Sequence, residues 1–103
     1  MGKYEAVFIL DEKKLDDHGD AFIRDVAKVI KGLGGQVHEK NSMGRKQFAR
    51  PIRNMRAGSY WGLIFDLDPA QLRTFQDTYR HEEVVLRLEV FRYEPPPPQP
   101  PRT

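Results

Sequence analysis

The period of the hydrophobic pattern changes repeatedly along the chain, and each change marks an element. Lys3 to Leu10 (KYEAVFIL) alternates, with Ala6, Phe8 and Leu10 on one face and Val7 and Ile9 on the other. Apolar residues on both faces predict a strand at the centre of a sheet. Helical spacing follows: Asp16 or Asp17 is placed to cap a helix running to about Leu33. Its stripe is Phe22, Val26, Val29 and Leu33, widened by Ile23, Ala27 and Ile30. Gly32, Gly34 and Gly35 supply the left-handed conformation that ends a helix.

A second strand is predicted from about Gln36 to Ile52, with a bend near Ser42 to Gly44. Pro51 has no N–H for a ladder, which assigns this strand to an edge. A polar turn over Asn54 to Gly58 leads to a third strand, SYWGLIFDL. There Trp61, Leu63, Phe65 and Leu67 share one face and Tyr60 and Ile64 the other, again a central pattern. Asp68-Pro69 opens a second helix with the stripe Leu72, Phe75 and Tyr79. After the polar turn HEE, VVLRLEVFRY alternates through a fourth strand. The order β-α-β-β-α-β with right-handed crossovers predicts an α+β, ferredoxin-like fold: a four-stranded antiparallel sheet of order 4-1-3-2 with both helices on one face. Strands one and three then fall in the centre and strand two at an edge, as their patterns require. This domain is expected over residues 1–94, followed by a proline-rich tail, PPPPQPPRT, that is extended or disordered over 95–103.

The chain of 103 residues suits one modest core. It has no cysteine, so disulfides, thiolate metal sites and cysteine nucleophiles are excluded. Its longest apolar run, AVFIL, is too short to span a bilayer, and a cytoplasmic protein with no membrane partner is expected. The net charge of +2 conceals an asymmetry. Lys40, Arg45, Lys46, Arg50, Arg53 and Arg56 form a run without an acid, leaving 11 basic against 15 acidic residues elsewhere. Such a segment is a candidate footprint for phosphates, or alternatively a solvated edge that resists aggregation.

Catalytic patterns are missing. His18, His38 and His81 lie far apart and belong to no spaced ligand motif. Asp16, Asp17 and Asp20 sit at a helix start, where negative charge is stabilising. Ser42 and Ser59 have no nucleophile-elbow setting, and the glycines after the first helix do not open one, as a phosphate loop would. Neither a cofactor, a metal nor a small-molecule substrate is expected, and the protein is read as a non-enzyme.

Two helices cover one face of such a sheet and leave the other without a cover from the chain itself. An apolar open face marks a binding surface for stacked bases or for another protein. Tyr60 and Trp61 are the candidates on the third strand. An RNA-recognition-motif-like binder of single-stranded RNA is one alternative, although RAGSYWGLIF spaces its glycine and aromatics differently from the K/R-G-F/Y-G/A-F-V-x-F/Y signature.

Four segments in order resemble the bacterial ribosomal protein that is sixth in the small-subunit numbering. KYEAVFIL is similar to that family's opening strand, and GRKQFARPI resembles its G-x-[RK]-[RK]-L-A-Y-P-I signature. GSYWGLIF is similar to its G-x-Y strand, and Arg80, Val85, Leu86 and Arg87 match its R-x-x-x-x-V-L-R. Departures are Phe48 where leucine is common, Arg50 where the family usually has tyrosine, and Val84 in place of a small polar turn residue. The resemblance covers nearly all of residues 3–93 and not the tail. It implies a non-catalytic constituent of the small ribosomal subunit that binds the central domain of 16S ribosomal RNA together with the eighteenth small-subunit protein. Lys40, Arg45, Lys46, Arg50, Arg53 and Arg56, with Arg80 and Arg87 as secondary residues, are the RNA-binding candidates, and Tyr60 and Trp61 the partner-binding ones.

Overall fold

A computed structural model describes residues 2–15, 17 and 19–93. Asp16, His18 and the proline-rich tail, including the boundary expected at residue 94, lie outside the described residues. The elements are β1 (Gly2–Leu10), α1 (Asp20–Gly32), β2 (Gln36–Ile52), β3 (Met55–Leu67), α2 (Pro69–Tyr79) and β4 (Val85–Arg92). A single 3-10 turn, Glu12–Lys14, follows β1. The strands form one sheet of order β2-β3-β1-β4 with every neighbouring pair antiparallel. This is the ferredoxin-like arrangement expected from the pattern. Among the described residues no helix is long and apolar enough to cross a membrane.

Alternation in the central strands separates the two faces. Ala6, Phe8 and Leu10 of β1 and Leu63, Phe65 and Leu67 of β3 are fully buried against the helices. From α1 the core takes Ile23, Val26 and Ile30, so the stripe is centred on these residues and Phe22, Val29 and Leu33 flank it. That centring shifts the expected emphasis: of the four-residue row chosen from the sequence only Val26 is at the centre, and Ile23 and Ile30, expected to widen the stripe, join it there. Phe75 and Tyr79 of α2 complete the core, and the Phe8 ring meets Phe22, Phe75 and Tyr79 edge-on at 5.4–6.4 Å. Such tilted pairs add to the stabilisation from burial alone.

Tyr79 contains a local conflict. Its ring is buried, but its hydroxyl has no hydrogen-bond partner. Burial first, and then the carboxylates of Asp25 and Glu82, push the phenol up to about 12. Stability contributed by the neutral phenol is therefore complete below about pH 10 and lost as pH rises towards 12, because the unfolded chain ionises first. Tyr79→Phe is expected to leave stability at pH 7 unchanged or raised by up to about 1 kcal/mol. The variant's advantage should grow at pH 11; urea midpoints at the two pH values check both parts.

Helix boundaries have local causes. The Asp17 carboxylate accepts from the N–H groups of Ala21 (2.9 Å) and Gly19 (3.2 Å), and these bonds, Ala21 foremost, hold it below the usual carboxylate range. Of the two aspartates expected to cap α1, Asp17 makes these contacts. At the other end Gly34 has φ +87°, with Gly34 N–H donating to Lys31 and Gly35 N–H to Ile30. This pair of bonds closes the helix as a Schellman motif. Asp68 accepts from Ala70 N–H at 2.9 Å and Pro69 takes the first helical position, as predicted.

The β2–β3 connection is tighter than the sequence suggests. No loop spans Asn54 to Gly58: Ile52 pairs with Met55 across a two-residue turn, Arg53-Asn54, with φ of 50° and 65°. Two left-handed residues match the twist of a hairpin, and asparagine tolerates that conformation well. Strand β2 is also irregular. Its register slips at His38 and Met43, and Phe48 to Pro51 stand together opposite Arg56. Pro51 is thus accommodated twice, by an edge strand and by a bulge where the ladder is interrupted.

Candidate nucleic-acid and partner-binding surface

On the face away from the helices, the register aligns Val7 with Gly62, Ile9 with Tyr60 and Arg87, and Glu5 with Ile64 and Phe91. Phe91 is half exposed and Met43 lies over Gly62, so this surface is apolar at its centre. Its charges divide by position. Glu5, Glu39 and Asp66 lie towards one end together with Lys3, Glu89 lies opposite Val7 at mid-strand, and Lys46 and Arg87 lie towards the end near the β2–β3 hairpin.

Trp61 departs from the expected site. It pairs with Phe8, faces the helices and is only 7% exposed, whereas Tyr60 lies half-buried on the open face. Consecutive strand residues point to opposite faces, so the two rings cannot share one docking or stacking surface. That removes the paired stacking required by the recognition-motif alternative.

The expected RNA-binding residues fall into separate groups. Lys40 pairs with Leu63 on the helix side of β2 and borders a hollow with Asp20, Arg24 and Trp61. It is ten residues, roughly 30 Å of extended strand, from Arg50. Arg45 Nε lies 2.8 Å from Glu12 Oε2, and Glu12 also accepts from Ser59 Oγ at 2.9 Å. This contact ties the edge strand to the 3-10 turn. The Lys46 ammonium sits 5.3 Å from the Tyr60 ring centroid, a cation–π arrangement. Arg50 and Arg56 are exposed at the bulge.

Three other arginines converge. Arg53 at the hairpin tip donates to the Val85 carbonyl at 3.3 Å, fixing the tip beside the start of β4. It borders a concavity of about 550 Å³ together with Arg80 from the end of α2 and Arg87 from β4. Arg73 joins them, a residue the sequence reading missed. Its signal was helical spacing: Arg73 and Arg80 are seven positions apart, two turns on one face of α2. Asp77 is the acid among them, 4.0 Å from Arg73 and from Arg80. Exposed pairs of that length contribute little, and the guanidinium groups keep donors for a ligand.

The two histidines among the described residues, His38 and His81, do not assemble into a centre. His38 Nε2 lies 2.6 Å from Asp66 Oδ2, and His81 is exposed in the turn before β4. Among the described residues no three His, Cys, Asp or Glu side chains come together as a metal site.

Fold and surface together define a small ferredoxin-like domain with one uncovered sheet face and an arginine-rich rim at its hairpin end. The family model described as ribosomal protein S6 matches residues 3–92, and the chain belongs to that family. It is 28% identical over 92 residues to small ribosomal subunit protein bS6 of Parabacteroides distasonis, covering 89% of this chain and 78% of the relative. The bS6 of Exiguobacterium sibiricum is also 28% identical, over 91% of this chain and 99% of its own length. The crystal structure of 30S ribosomal protein S6 from Thermotoga maritima superposes with a TM-score of 0.83 at 25% identity, covering 89% of this chain and 87% of that one. The resemblance drawn from the four sequence segments is thereby established for the fold and the family.

Proposed function

We propose that the chain is a non-catalytic constituent of the bacterial small ribosomal subunit, in the cytoplasm, where it binds 16S ribosomal RNA together with the eighteenth small-subunit protein. The observation that carries this reading is the convergence of Arg53, Arg73, Arg80 and Arg87 from three parts of the fold onto one concavity. Planar guanidinium forks suit phosphate oxygens, and the hairpin tip, α2 and β4 hold them on a rigid scaffold. Arg50, Arg56 and Lys46 extend the rim, Arg45 positions β2, and Lys40 lies outside the cluster. The partner protein docks on the open face over Val7, Ile64 and Phe91, with Tyr60 at the margin. Glu5 and Glu89 among these apolar residues favour a basic partner.

Cosedimentation with small subunits lacking this protein tests the reading. Retention in the particle through a high-salt wash supports it, and recovery wholly in the supernatant contradicts it.

A further inference from the structure

A second hollow, beside the arginine rim, is not explained by phosphate binding alone. The bulge at Phe48 to Pro51 carries β2 away from its ladder, so these residues wall a space of about 530 Å³ floored by Ile9 and closed by Tyr60 and Arg87. Clefts that hold small ligands fall in the range of roughly 300–1,000 Å³. Phe48 lies against Gly58, where a Cβ would stand 3.0 Å from Phe48 Cζ and 3.1 Å from Ile9 Cγ2. A side chain there would meet the Leu10 carbonyl oxygen first, at 2.8 Å, and then the tip of the Phe48 ring, so glycine leaves room for the close approach of both. The Phe48 and Tyr60 rings are 6.1 Å apart, forming an apolar wall.

Cations surround this wall. Arg50 is at the bulge, Arg87 at the opposite side, and Lys46 over the Tyr60 ring. The adjacent acid is Glu89, 3.5 Å from Arg87, whose five N–H donors cannot all be occupied by one carboxylate. Arg87 also borders the concavity that holds Arg53, Arg73 and Arg80. An apolar aromatic wall continuous with a phosphate-binding rim is the chemistry of an unstacked nucleotide: a flat base against the rings and its phosphate on the arginines.

We infer that the hollow bounded by Phe48, Tyr60, Arg50 and Arg87 captures one unpaired nucleotide of the bound RNA. This rests on the RNA-binding reading above and adds a preference to it: the protein selects a site where a base is already free of its helix. Arg50 then contributes a phosphate contact from the bulge, and Tyr60 belongs to RNA rather than to the protein partner.

The test is an NMR titration of the full chain with a single-stranded tetranucleotide and with an RNA duplex. With the tetranucleotide, the Phe48 and Tyr60 rings, the Ile9 methyls and Arg87 Nε should shift; with the duplex, only the rim arginines should. Tyr60→Leu should weaken tetranucleotide binding at least about fivefold, near the low end of one base–aromatic stack, and leave duplex binding unchanged. Arg50→Gln, at an exposed position, should weaken tetranucleotide binding by a larger factor than duplex binding, since with the duplex Arg50 is only one of several rim cations. Identical shifts from both RNAs, unmoved by either variant, would overturn nucleotide capture and leave a phosphate rim. If neither RNA shifts Arg53, Arg73 or Arg80, the RNA-binding reading fails as well. Shifts of Phe48 and Tyr60 produced by the partner protein without RNA, and not by the tetranucleotide, would also overturn the proposal by making the hollow a protein dock.

Discussion

Phe8→Ala is expected to destabilise the domain by about 3–5 kcal/mol. A domain of this size has roughly 5–15 kcal/mol in total, so much of its margin would go. The size of the effect follows from position. Phe8 is fully buried on a central strand, and its ring touches Phe22 of α1 and Phe75 and Tyr79 of α2. Removing it leaves a cavity where the sheet and both helices meet, and three elements cannot all relax into one void. With a urea slope of about 1–3 kcal/mol/M, the midpoint should fall by more than about 1 M. Phe91→Ala is the matched comparison. That ring is half exposed, and its loss should cost no more than about 0.5 kcal/mol. Equal midpoints for the two variants would contradict the assignment of the helix-side face as the core.

The second large effect concerns the rim. Replacing Arg53, Arg80 and Arg87 together should reduce the slope of log affinity against log salt by about 2–3, since each phosphate contact contributes roughly 0.7–0.9. Arg53 is best changed to alanine, because its φ of 50° costs alanine and arginine alike, whereas glycine would relieve that cost and confuse folding with binding. Arg80 and Arg87 can be changed to alanine, each being more than half exposed with only a long ion pair to lose. Arg24, Lys28 and Lys31 on exposed positions of α1 provide the control: the same number of charges removed from another surface should leave the slope nearly unchanged. An equal loss from both triples would mean that net charge, not the rim, governs binding.

The sequence was most informative where a local rule and the long-range packing agree. Two-sided apolar runs in β1 and β3 required central strands, Pro51 required an edge, and Asp68-Pro69 required a helix start; the structure has all three. Bulges were less legible, since the sequence of Phe48 to Pro51 still reads as extended chain and only the register shows four residues opposite one. Likewise, Arg53 in a left-handed turn is uncommon, so the polar run after it read as a loop when it is already β3.

The basic segment was visible as composition but not as a surface. Strand alternation and bulges divide it: Arg45 turns to Glu12, Lys46 to Tyr60, and Lys40 to the helix side. Its partners at the rim come from α2 and β4, and no local pattern announces that Arg73, Arg80 and Arg87 meet the hairpin tip. Trp61 illustrates the reverse. Its core orientation was already present in the alternation with Leu63 and Phe65, and grouping it with Tyr60 overrode that signal.

The most direct test of rim binding is ultraviolet crosslinking of the protein within assembled small subunits, followed by mass-spectrometric mapping of the RNA-linked residues. Crosslinks should fall on the β2–β3 hairpin around Arg50 to Arg56 and on the adjoining segment from Arg80 to Arg87. Crosslinks confined to the exposed side of α1, around Arg24 to Lys31, would contradict it.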